Sequence, residues 1–244
     1  SRALRDARAL RFPDPTATAV AKAIDARRPD RVRELVTGTG IDFAARNPEG
    51  VTILGLAVQR VIGVFPAPED LESARLLLAA GAPPAPDVLG PETVLLEQVV
   101  GGNTPGAREL LRLLLDAGAD PDVLDAFDRR PLILSTYVDL PELAILAAAG
   151  ADLDVRDVRP DRPGWNALMN ATYMRSFDQA LFLLEHGVSP DHVGDDGATL
   201  DDILDEVERS AYQPEPGLAE LRAAVARRRA GPETPADSPG ADGG

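Results

Sequence analysis

Apolar positions along the chain recur three and four residues apart in short runs, and each run is closed by a glycine. RVRELVTGT precedes Gly40, ESARLLLAA precedes Gly81, ARELLRLLLDA precedes Gly118, LPELAILAAA precedes Gly150 and FDQALFLLEH precedes Gly187. That spacing puts the leucines on one buried stripe of a helix. A glycine just past the last apolar residue is what a helix end needs when its backbone turns left-handed. The pattern therefore predicts five helices with the same ending.

A second helix is predicted ahead of each run, entered at Gly50-Val51-Thr52, Pro91-Glu92-Thr93, Arg129-Arg130-Pro131, Trp165-Asn166-Ala167 and Ala198-Thr199-Leu200. Thr52, Thr93, Asn166 and Thr199 suit the N-cap, where a side-chain oxygen accepts a backbone N–H that has no helical partner. The closing glycines are 41, 37, 32 and 37 residues apart, so the pair of helices is a repeated unit.

The pattern G-x-T-P-L-H-x-A, followed by a helix that ends V-x-x-L-L-x-x-G-A-D, resembles the ankyrin repeat. Gly164 to Ala171, continued to Leu183-Leu184-Glu185-His186-Gly187, is the best copy, with 21 residues from Asn166 to Gly187. The same distance is 20 from Arg130, 25 from Thr93 and 29 from Thr52. The excess falls in Gly101 to Thr104 and in Val61 to Pro68, between the two helices of a unit, where a longer connection leaves the stack intact. The Thr-Pro-Leu-His motif is nowhere complete: Gly55, Leu96, Ile133, Met169 and Asp202 replace the histidine, and only Pro131 keeps the proline. The resemblance implies an all-α solenoid of about six helix-turn-helix units joined by β-turns, each of about 33 residues.

The first unit, about Pro15 to Asp42, and the last, from Gly194, read as caps. The last carries Asp201, Asp202, Asp205, Glu206 and Glu208 where inner units are apolar, and a terminal repeat needs one wet face. The expected organisation is a basic helical segment over residues 1–14 with Arg2, Arg5, Arg8 and Arg11, a repeat domain over 15–230, and a disordered tail over 231–244. That tail, GPETPADSPGADGG, has no large apolar side chain with which to offset its ordering entropy.

Charge narrows the partners. A formal net charge of −15 opposes nonspecific attachment to nucleic acid or anionic membrane, so a partner protein of neutral or basic character is expected. No apolar run reaches the roughly 18 residues of a membrane span, and a cytoplasmic location is the default. All but one of the 25 basic residues are arginine, a bias of GC-rich genomes that fits a bacterial source. A monomer is expected.

Chemistry is sparse. With no cysteine and two histidines, His186 and His192, there is little from which to build a nucleophile–base pair, so the chain is expected to be non-catalytic, with no cofactor and no metal. Asp120, Asp122, Asp152, Asp154 and Asp191 recur at the turns between units, where aspartate bonds its own backbone. The loop at Gly101 lacks the Gly-Lys-Ser/Thr ending of a phosphate cradle and reads as a helix start capped by Thr104.

In ankyrin stacks, the resemblance implies, turn tips and first helices form a concave face that binds proteins. The positions just before the N-cap and near the end of the first helix hold Phe127, Arg129 and Tyr137 in the fourth unit, and Arg162, Trp165, Tyr173 and Met174 in the fifth. Aromatic residues and arginine dominate interface hot spots, so these seven form the expected binding patch. The expected function is a protein-binding scaffold, regulator or immunity-like inhibitor. A second reading is a small-ligand or enzyme-associated role through the long inter-helix loops.

Overall fold

A computed structural model describes residues 9–38, 40–63, 65–84, 99–100, 104–124, 130–135 and 140–231. Eleven helices run through them: α1 (Pro15–Asp25), α2 (Pro29–Val36), α3 (Ile53–Val61), α4 (Pro68–Ala79), α5 (Pro105–Asp116), α6 (Pro131–Ser135), α7 (Leu140–Ala148), α8 (Ala167–Tyr173), α9 (Phe177–Glu185), α10 (Leu200–Arg209) and α11 (Pro216–Ala230). None is long and apolar enough to cross a membrane.

The helices form two layers. In one, α1 packs on α3, α6 on α8, and α8 on α10; in the other, α2, α4, α5, α7, α9 and α11 follow one another. Pairs such as α3 with α4 and α8 with α9 join the layers into units. Ile24, Ile53, Leu77, Leu110, Leu111, Leu114, Leu132, Ile133, Leu143 and Leu146 are fully buried between them. Among the described residues the core is thus a seam to which successive helices contribute apolar stripes.

The ends of the elements follow the sequence. Gly40, Gly81, Gly118, Gly150 and Gly187 all have φ between 87° and 97°. Thr52, Thr104, Asn166 and Thr199 accept the backbone N–H of Gly55, Ala107, Met169 and Asp202. Thr93 and residues 101–103 lie outside the described residues, as do residues 1–8 and 232–244. Ala9 is helical and Arg11 is not, so Arg11 leaves the expected basic stripe. The long connection of the second unit spans residues 62–67, against 174–176 in the fifth.

A β-carbon added at Gly118 would have nothing within 4 Å of it, while φ is +92°. The cost of Gly118→Val is therefore backbone strain alone, about 1–2 kcal/mol for a left-handed L-residue. Thermal unfolding should show that loss, and an unchanged midpoint would mean the turn relaxes.

Units are also tied by charge. Arg33 reaches Glu72, Arg75 reaches Glu109 and Arg108 reaches Glu142 along the second layer, at 3.0, 3.1 and 2.7 Å. The first two pairs are exposed and contribute little; Glu142 is buried, so its pairing offsets a real desolvation cost. Arg27 and Arg175 occupy equivalent left-handed positions after the first helix, with φ of 51° and 60°. Each crosses to the next unit, Arg27 to buried Asp70 and Arg175 to Glu215.

Candidate functional site at the fifth turn tip

The tip between the fourth and fifth units differs from the tips ahead of α3 and α10. In the tips ahead of α3 and α10, the N–H of Asn47 and Gly194 bonds the carbonyl four positions on, Val51 and Ala198. Ahead of α8 the N–H of Asp157 bonds the Trp165 carbonyl at 2.7 Å, eight positions on. Four additional residues therefore extend this tip. The signal was present in the sequence: closing glycine to N-cap is 16 residues from Gly150 to Asn166, and 12 from Gly40, Gly81, Gly118 and Gly187.

Two arginines fold the extension down. Arg159 pairs with Asp157 and donates from Nη2 to Asn170 Oδ1 at 3.1 Å. Burial pushes the Asp157 carboxyl above its usual value, against the pull of the Arg159 backbone N–H and the Arg162 charge. Arg162 lies over the Tyr173 ring, 4.4 Å from its centre, and donates from Nη1 to Asn170 Oδ1 at 3.4 Å and toward Met174 Sδ at 3.9 Å. A guanidinium on an aromatic face is worth about 0.5–1 kcal/mol at an exposed site.

Trp165 is a wedge. It is 7% exposed, stands edge-on to Tyr173 with ring centres 5.6 Å apart, and donates from Nε1 to Asp196 at 3.2 Å. Its ring lies so close over Gly194 that a β-carbon there would come within 2.8 Å of Cδ1. His192 Nε2 bonds the Gly164 carbonyl at 2.7 Å. A carbonyl only accepts, so the proton sits on Nε2.

Of the seven residues expected in the binding patch, four lie together here. Tyr173 and Met174 are 43% and 39% exposed, Arg162 is mostly covered by its contacts, and Trp165 props the group from below. Phe127, Arg129 and Tyr137 lie outside the described residues. Asp157, Arg159, Asn170 and Asp196 were not singled out by patterning, and His192 was weighed only as a catalytic or metal candidate, because polar tip residues look alike until their partners are known.

His186 and the turn aspartates Asp120, Asp122 and Asp152 make local contacts. His186 Nδ1 bonds the Phe182 carbonyl at 2.8 Å and its ring stacks on Phe182. Among the described residues no group of three or more His, Asp or Glu side chains is placed to hold a metal. Asp120 and Asp152 each accept the N–H two residues on, and Asp122 accepts the Asp152 N–H from the next tip at 3.1 Å.

No protein-family model matches the chain. Solved structures do. The ankyrin repeat protein EF0377 superposes with a TM-score of 0.65 at 20% identity, over 86% of this chain and 98% of its own. An ankyrin repeat domain from Acinetobacter baumannii AYE gives 0.66 at 19%, over 85% and 95%. The ankyrin repeat domain of Bcl-3, a member of the IkappaB protein family, gives 0.61 at 21%, over 84% and 81%.

Proposed function

Starting from the ankyrin-repeat fold that this chain shares with those structures, we propose that it is a non-catalytic binding module that takes a partner protein on its concave face, centred on the fifth unit. The supporting observation is the exposure of Tyr173 and Met174 on a base that cannot easily move. Trp165 and Arg162 hold Tyr173 from two sides, so little side-chain entropy is left to lose when a partner covers it. An extended tip clamped by Arg159 stands beside it. Scaffold, regulator and immunity-like inhibitor are roles within this reading, since the fold serves many functions.

Tyr173→Ala/Met174→Ala tests it without removing the Trp165 wedge. In a pull-down from cell lysate, a protein retained by the wild type should be lost by this variant, at a cost of about 2 kcal/mol or more in affinity. Melting should be nearly unchanged. Equal capture of every protein by a folded variant would move the binding surface elsewhere.

A further inference from the structure

Seven large hydrophobic residues are exposed among the described residues, and four of them, Val158, Tyr173, Met174 and Val193, fall at the fifth and sixth tips and the end of α8. Phe65 and Tyr212 are more exposed, but each sits alone in an inter-helix connection. Scattered apolar residues need no explanation; grouped ones do.

The exposed charges around this group are mostly acidic, Asp161, Asp195 and Asp196 against the single exposed arginine of the tip, Arg156. Asp161 is exposed and lies 3.5 Å from Arg162 Nε, on the tip that carries Val158. Asp195 packs against Gly164, where a β-carbon would meet its carboxylate at 2.5–2.7 Å. Asp196 holds the Trp165 indole. Asp161 and Asp196 thus touch Arg162 and Trp165, the two side chains that touch Tyr173, and Asp195 lies against Gly164, which falls between them in sequence. Two of the tip's three arginines face inward, Arg159 to Asp157 and Asn170, and Arg162 to the Tyr173 ring, Asn170 and Met174; Arg156 stays exposed.

We infer that the occupant of this face is a basic segment of a partner protein, in which an arginine or lysine flanks an apolar side chain. The apolar side chain covers Tyr173 and Met174, and the cation is held by Asp161 and Asp195. This rests on the concave-face reading above and adds the partner's chemistry to it. Complementary charge of this kind sets specificity and speeds encounter. An acidic segment would meet like charge at Asp161, Asp195 and Asp196, which opposes binding.

The test is selection of a random peptide display library on the full chain, followed by synthesis of the enriched peptides and fluorescence anisotropy. The expected peptides carry arginine or lysine beside an apolar residue. They should bind about tenfold more weakly to Asp161→Asn/Asp195→Asn, and more weakly still as salt rises. The variant's tryptophan emission should match the wild type, because Asp196 is left in place. Neutral or acidic peptides that are lost with Tyr173→Ala/Met174→Ala would overturn the charge inference and leave the concave-face reading standing. Basic peptides that bind wild type and both variants equally would overturn both. Enrichment of no peptide would count against the inference as well.

Discussion

Leu114→Ala should lower the melting temperature by roughly 5–15 °C. Leu114 is fully buried on α5, the second helix of the third unit, and α5 packs on α3, α4 and α7. Truncating a buried leucine costs about 2–5 kcal/mol, because the transfer energy is lost and the cavity closes incompletely. For a chain of this size each kcal/mol shifts the midpoint by about 2–4 °C. Position sharpens the expectation. A solenoid is held together by nearest-neighbour interfaces, so a defect near its middle weakens the coupling between the halves. Calorimetry should show a transition that is lower and also broader, or split in two. An unchanged midpoint would place Leu114 outside the core.

Gly194→Ala should destabilise by about 1–3 kcal/mol, the usual range for overpacking. It should also shift the emission of the only tryptophan. The added β-carbon would stand 2.8 Å from Trp165 Cδ1 and 2.7 Å from Asp196 Oδ1. Neither neighbour yields freely, since Trp165 is buried against Tyr173 and Asp196 is bonded to the indole. The ring must lift, and Tyr173 loses the edge that positions it. Partner binding should therefore fall along with stability, whereas Tyr173→Ala/Met174→Ala affects binding alone. A variant that melts and fluoresces like the wild type would mean that Trp165 has room the packing does not show.

The repeat was legible because helix ends are local. A closing glycine, a capping threonine or asparagine and a leucine stripe all act within one or two turns, so Gly118, Thr52 and Leu110 announced their roles without their neighbours. The long second-unit connection was equally plain from the count between Thr52 and Gly81. The fifth tip was only half legible. Its extra length stood in the spacing from Gly150 to Asn166, but that Arg159 and Arg162 fold inward was not. Arginine in a polar turn reads as a solvated charge until a buried Asp157 or an aromatic face is brought beside it.

Trp165 shows the same limit from the other side. By position it belonged to the patch expected to face a partner, and by residue type it suited a hot spot. In the structure its outer face is closed by the next tip, through Gly194 and Asp196, some thirty residues on. By itself, then, the sequence determined the repeat architecture and, among the described residues, the helices, their ends and the long second-unit connection, since propensity, capping and apolar periodicity are short-range. Only the tertiary structure decided which side chains of a tip face outward, because that depends on what the adjacent unit presses against them.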